Sequence, residues 1–144
     1  MRLWHYELLP YLPKSQLLAQ KRECDLIWKD IANGRRTNHV LINYIWDYDC
    51  PDLRLYMYYE LLKEEFERRG FKFRWSKNAN TFCVSKENPF PIHHNNRYLI
   101  ECYFNLEEKR RRGQKDFDAP TFWILYSFVN NKTNGWLVKL NEIL

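Results

Sequence analysis

Apolar residues recur at helical spacing in three separate stretches of this chain, with turn-forming residues between them. In the first stretch Leu17, Cys24, Trp28 and Ile31 fall on one stripe, with Ile27 at its edge. That period predicts an amphipathic helix from about Lys14 to Ala32. Pro13 suits its first turn, and Asn33-Gly34 is a stop signal. Glu23 lies off the centre of the stripe, on the flank it shares with Gln16 and Gln20, where core can give way to cleft. Ahead of this helix, residues 1–13 form an apolar and aromatic arm in which Pro10 and Pro13 forbid a continuous helix.

The second stretch opens at Pro51-Asp52 and predicts a helix from about Asp52 to Arg69, closed by Gly70. Leu55, Tyr59, Leu62 and Phe66 make its buried face. Lys63, Glu64, Glu67 and Arg68 are solvated, with Glu64 and Arg68 four apart as a weak pair. The third predicted helix covers about Arg97 to Arg112, with Ile100, Tyr103 and Phe104 inward and Glu107 at the edge. Its end carries Lys109-Arg110-Arg111-Arg112, favourable against the helix dipole. Residues 39–50 are mixed apolar and aromatic without a clear period. Residues 71–97 read as loop with one short strand. Pro120-Thr121-Phe122-Trp123 starts an aromatic tail that runs to Asn134-Gly135-Trp136. Without repeats or a linker, the pattern predicts a mostly α-helical fold: one compact domain over residues 1–144, of three main helices, long irregular loops and an aromatic C-terminal tail.

Composition adds a partner class. The net charge is +5 with a sequence pI near 9.0. An anionic partner is favoured, nucleic acid before a membrane surface. Six Trp, ten Tyr and nine Phe are too many large rings for all to be buried in a chain this size. Cys24, Cys50, Cys83 and Cys102 form no CxxC pair, which argues against a compact zinc knuckle. No apolar stretch reaches the length of a membrane span, and the first residues do not read as a signal peptide. The expectation is a cytoplasmic monomer with reduced thiols.

Several motifs then fall in a recognisable order. They are Leu17 to Glu23; Ile31-Ala32-Asn33-Gly34-Arg35-Arg36; Leu61 to Phe71, ending Arg69-Gly70-Phe71; Pro91-Ile92-His93; Leu106-Glu107-Glu108-Lys109; and Pro120-Thr121-Phe122. In this order and approximate spacing they resemble the pyrimidine-dimer DNA glycosylases, small repair enzymes of phage and bacteria. The resemblance implies double-stranded DNA with a damaged or abasic site as partner, AP-lyase activity, and no metal or cofactor. It implies the N-terminal α-amine as nucleophile, here that of Met1, since removal of Met1 before the bulky Arg2 is not expected. An α-amine titrates near ~8 without tuning, so much of it is neutral at physiological pH. Glu23 would be the essential carboxylate, Arg2 the arginine beside the amine, Arg22 a phosphate or base contact, and Lys109 a phosphate contact. Arg35 and Arg36, in the basic loop after the first helix, join them as candidate phosphate contacts. This chain has Gln16 for a family histidine, Leu26 for a family arginine, and Asn105 for another; these changes bear on substrate more than on chemistry.

Other constellations compete. Trp4, Trp123 and Tyr126 are candidates to stack on exposed bases, although Trp4 reads equally as a buried anchor for the arm. His93-His94-Asn95-Asn96 suggests a metal-dependent nuclease, but no further ligand pair is evident and a solvated loop pair is the simpler reading. Cys24 with His5 or His93 would make a thiol–imidazole pair, against which Cys24 sits on the core stripe. A nucleic-acid-binding protein of the same fold without catalysis is the remaining alternative.

Overall fold

The first predicted helix forms over the expected residues. In the computed structural model, which describes residues 1–143, α1 runs Lys14–Ala32. Leu17, Cys24, Ile27 and Trp28 are buried as the period requires, and Ile31 packs against the core half-buried. The helix ends where Gly34 takes a positive φ of 67°. There the Arg35 N–H reaches back to the Asp30 carbonyl at 2.8 Å, and the Gly34 N–H to that of Ile31 at 3.1 Å. This double closure needs a left-handed residue, which glycine adopts at little cost. The second helix, α2 at Pro51–Arg68, closes the same way through Gly70, with the Phe71 N–H 2.8 Å from the Phe66 carbonyl.

Buried on α2 are the predicted Leu55, Tyr59, Leu62 and Phe66, joined by Tyr58 and by the carboxylate of Glu65. Glu65 decides the local ion pairing. A buried carboxylate requires a partner, and Arg68 and Arg69 both supply one, at 2.5 and 2.9 Å. The expected Glu64–Arg68 pair therefore does not form. Glu64 instead meets Lys86 at 2.6 Å.

The third helix, α3 at Asn96–Arg111, starts at Asn95, whose side chain accepts from the Tyr98 N–H at 3.0 Å. Its inner face is Leu99, Cys102, Tyr103 and Leu106. The predicted face was turned by one position: Ile100 is only half-buried and Phe104 lies at the surface. Both registers keep apolar residues at helical spacing, and only packing against the neighbouring helix separates them.

Two expectations are corrected outright. The aromatic tail is helical, so the three expected main helices become five among the described residues: α4 spans Ala119–Lys132 and α5 spans Trp136–Ile143. Asp118 caps α4 by accepting from the Thr121 N–H at 2.9 Å, with Pro120 in the first turn. Nor does a strand form among the described residues. Residues 71–75 do alternate, with Phe71, Phe73 and Trp75 half-buried and Lys72 and Arg74 exposed. That is the period of a strand. However, the inward rings pack on α2, Phe73 and Trp75 lying 4.9 and 5.0 Å from Tyr59, with no second strand beside them. Short 3-10 helices at Tyr6–Tyr11 and Asn43–Asp47 complete the described elements.

A continuous buried cluster takes side chains from the arm and from all these helices, including Leu3, Leu8, Trp28, Ile45, Tyr58, Leu99, Leu125 and Leu137. The arm is thus part of the core and not an appendage. No helix among the described residues is long and apolar enough to cross a membrane. All four cysteines are free.

Candidate functional site

The start of the chain is pinned beneath the flank of α1. Leu3, Trp4 and His5 are buried, and Met1 and Arg2 are half-buried. Hydrophobic anchoring fixes the arm's position, and polar groups fix its register. The Arg2 N–H donates to Glu23 Oε2 at 3.2 Å. Gln20 Nε2 donates to the same carboxylate oxygen at 3.0 Å and to the Arg2 carbonyl at 2.8 Å. Gln20 Oε1 accepts from the Trp4 N–H at 2.7 Å, and the Tyr58 hydroxyl lies 2.7 Å from that oxygen and 2.8 Å from the Trp4 carbonyl. The Leu3 carbonyl accepts from Tyr98 on α3 at 2.5 Å. The terminal amine is one residue beyond an N–H already in contact with Glu23.

Arg2 closes the other side. Its guanidinium lies 5.8 Å from the ring centres of both Trp4 and Tyr98. Trp4, only 4 % exposed, is therefore the arm's anchor and part of Arg2's seat, and the base-stacking role considered for it is withdrawn. Trp123 is 58 % exposed and sits 5.4 Å from Tyr126 in an edge-to-face pair, so these rings do meet solvent.

The histidines differ from their expected setting. His94 is not a solvated loop residue; it is 2 % exposed and stacks on His5 at 5.3 Å. Its Nδ1 accepts from the Tyr6 N–H at 3.1 Å and its Nε2 pairs with the Tyr44 hydroxyl at 2.6 Å. One ring nitrogen is occupied by the arm and the other by the Tyr44 hydroxyl, which leaves neither for a metal ion. His93 is engaged separately, its Nδ1 2.9 Å from the Tyr48 hydroxyl. No group of three or more His, Cys, Asp or Glu side chains that could hold a metal lies among the described residues. Burial drives the His5 imidazole down to about 4, and burial together with the neighbouring His5 and His93 holds His94 well below its ordinary value. Burial also pushes the Cys24 thiol well up, so no thiol–imidazole nucleophile arises there.

Of the sequence-predicted residues, the fold brings together Met1, Arg2 and Glu23, with Arg22 exposed beside Glu23 on α1. Arg35, Arg36 and Lys109 stand apart from that cluster. Lys109 is exposed at the end of an α3 stripe, Tyr98, Cys102, Asn105 and Lys109. It lines a depression of about 470 Å³ with Asn105, Arg112 and Gln114. Gln114 in turn accepts from Gln16 at 3.1 Å, tying this end of α3 to the Gln16–Gln20–Glu23 flank. The rest of the basic run is committed elsewhere. Arg110 lies over Phe122 at 4.6 Å, while Arg111 and Arg112 pair with Glu107 and Glu108 at 3.2 and 2.7 Å. Arg35 meets Asp30 at 3.3 Å, and Arg36 lies 5.9 Å from the Trp46 ring centre.

A family model for pyrimidine dimer DNA glycosylases matches residues 1–79. The chain belongs to that family. Membership places it among the DNA glycosylases that act on damaged pyrimidines, with damaged DNA as the partner class. The matched span contains the arm, Arg22, Glu23, Arg35 and Arg36, and it stops short of Lys109 and the helices α3 to α5. No curated protein and no solved structure matches the chain.

Some candidates in this glycosylase escaped the sequence reading. Arg74 and Lys77 line a second depression with Lys21, Leu26, Lys29 and Trp75, about 420 Å³ in volume, on the flank of α1 away from Glu23. The alternation of basic and aromatic residues in Arg74-Trp75-Ser76-Lys77 is the signal that marks it. Gln20 was placed on the right flank, but nothing in the sequence showed that it joins the arm to Glu23.

Proposed function

We propose that this glycosylase excises a damaged pyrimidine and then cuts the strand, with the Met1 α-amine as nucleophile and Glu23 as the acid–base carboxylate. The amine nitrogen attacks the deoxyribose C1′ and the C1′–N bond to the base breaks. The sugar ring opens, and loss of the second amine proton leaves a C1′=N imine. Removal of a C2′ proton then expels the 3′ phosphate by β-elimination. Glu23 stabilises positive charge developing on the sugar and carries the protons between these steps. None of the steps calls for a metal ion.

Arg2, held against Tyr98 and Trp4 and next in sequence to the amine, suits the phosphate flanking the lesion. Arg22, Arg35, Arg36 and Lys109 extend cationic contact along the duplex and set its register without reading sequence. The damaged nucleotide leaves the stack more cheaply than an intact one, which gives part of the selectivity. The observation that supports this reading is the 3.2 Å contact from the Arg2 N–H to Glu23, one residue along the chain from the Met1 amine.

The test is a set of duplex oligonucleotides, each holding one lesion or an abasic site, incubated with untagged protein in the presence of chelator. Strand cleavage at the abasic site and at a damaged pyrimidine is expected. Tight binding to every duplex with no cleavage of any would instead identify a DNA-binding protein that has kept the fold alone, and cleavage abolished by chelator would identify a metal-dependent nuclease.

A further inference from the structure

We infer that Gln20 is the positioning residue of this site, holding the arm so that the terminal amine stays beside the Glu23 carboxylate. The inference rests on the roles proposed above for Met1 and Glu23. Its warrant is the bookkeeping of the arm's backbone. Four polar groups of Arg2 and Trp4 have partners, and every one is tied to Gln20. The Arg2 carbonyl and the Trp4 N–H bond to it directly. The Arg2 N–H bonds to Glu23, which Gln20 also holds, and the Trp4 carbonyl faces Tyr58, whose hydroxyl also faces Gln20. Within the Arg2–Trp4 stretch the Leu3 carbonyl is secured separately, by Tyr98, and further along the arm the Tyr6 N–H is held by His94.

The residue type fits this duty. A primary amide offers two donors and two acceptor positions; here both donors and one acceptor position are used outright, and the second acceptor position shares the single Tyr58 hydroxyl proton with the Trp4 carbonyl, in a side chain only 1 % exposed. Turned over, the amide would set its NH₂ against the Trp4 N–H and its oxygen against the Glu23 carboxylate. A glutamate in its place would bring a second carboxylate against Glu23 and lose both donors. A methionine would fill the space and leave the Trp4 N–H and the Arg2 carbonyl buried without partners. A nucleophile at a chain end has no neighbour on one side to restrain it. Its reactivity with a fixed carboxylate therefore depends on such a clamp, and misplacement by about 1 Å can cost on the order of 100-fold.

The experiment uses Gln20→Met and Tyr58→Phe, with Glu23→Gln measured alongside. Single-turnover borohydride trapping on an abasic duplex is followed at saturating protein. Affinity for the same duplex is measured separately, and circular dichroism reports the folded fraction. Gln20→Met is expected to slow the saturated rate by about 30-fold or more, with affinity within about threefold of the parent. Tyr58→Phe, which removes only the hydroxyl that faces Gln20 Oε1, shows the same split with a loss of about fivefold. A Gln20 that served stability alone would lower the melting temperature and leave the saturated rate per folded molecule unchanged, and that result overturns the inference. Should Gln20→Met fail to fold, an undiminished saturated rate in Tyr58→Phe overturns it equally. Slow Glu23→Gln beside normal Gln20→Met and Tyr58→Phe removes the positioning role alone. Full activity in Glu23→Gln removes the underlying reading, and this inference with it.

Discussion

Around Gln20 every side-chain polar atom has a partner, whereas along the cationic face Arg22 and Lys109 stand in solvent without an ion pair among the described residues. The first region is a clamp. Its groups are buried, cross-linked over long sequence separations, and set before any substrate arrives. The second is a rim of single charges, Arg22 in the middle of α1 and Lys109 in the last turn of α3, each with a side chain free to follow a phosphate. The contrast teaches where geometry has to be exact to within a fraction of an ångström and where it does not. A nucleophile and its carboxylate lose rate steeply with misplacement. A phosphate contact acts through charge and counterion release and tolerates a mobile side chain.

The change expected to separate the two regions most sharply is Glu23→Gln. It keeps size and hydrogen bonding at the clamp and removes one charge. Turnover on damaged or abasic duplex should fall at least ~100-fold, with affinity for intact duplex largely kept. Rates from single-turnover assays and affinities from titration decide the matter, and equal losses in both would make Glu23 part of the rim.

Acid should weaken the clamp's support next. His5 within the arm and His94 stacked against it are neutral and buried. Their folded values lie below the unfolded value, so the unfolded chain takes up protons first as pH falls. The stability from keeping them neutral is complete above about 6.5 and is lost progressively toward about 4 for His5. For His5 alone this amounts to about 2 kcal/mol between pH 7 and pH 5. Urea unfolding at the two pH values measures it; an unchanged midpoint would mean that the imidazoles are not held neutral.

The smallest effect belongs to the rim. Lys109→Ala should leave melting and saturated rate alone and reduce the slope of log affinity against log salt by roughly one unit, the signature of one full phosphate contact. A slope that does not move would place Lys109 outside the interface.

How far this was legible in the sequence follows the same division. The flank carrying Gln16, Gln20 and Glu23 could be read from the period of α1, because Leu17, Cys24 and Trp28 leave only one core-facing stripe. The stops at Gly34 and Gly70 were equally plain, since few residues take a left-handed conformation readily. The face of α3 was misjudged by one position, because Ile100 and Phe104 are as apolar as the Leu99 and Leu106 that packing selects. The Arg68 partner was missed because a buried Glu65 cannot be distinguished by residue type from its solvated neighbours. Aromatic density in the C-terminal region masked two helices whose capping signal, Asp118-Ala119-Pro120-Thr121, was present in the letters. Long-range polar contacts such as Tyr6 to His94 or Trp4 to Gln20 have no local pattern at all. They come from tertiary packing, and they account for most of what the clamp does.

The central claim is that the first amine of the chain performs the chemistry beside Glu23. Borohydride reduction of the protein with an abasic duplex, followed by proteolysis and mass mapping of the adduct, tests it directly. The sugar remnant is expected on the Met1 amine, and acetylation of that amine should abolish trapping, because an amide nitrogen is not nucleophilic. An adduct mapped to a lysine, or trapping that survives acetylation, would contradict the account.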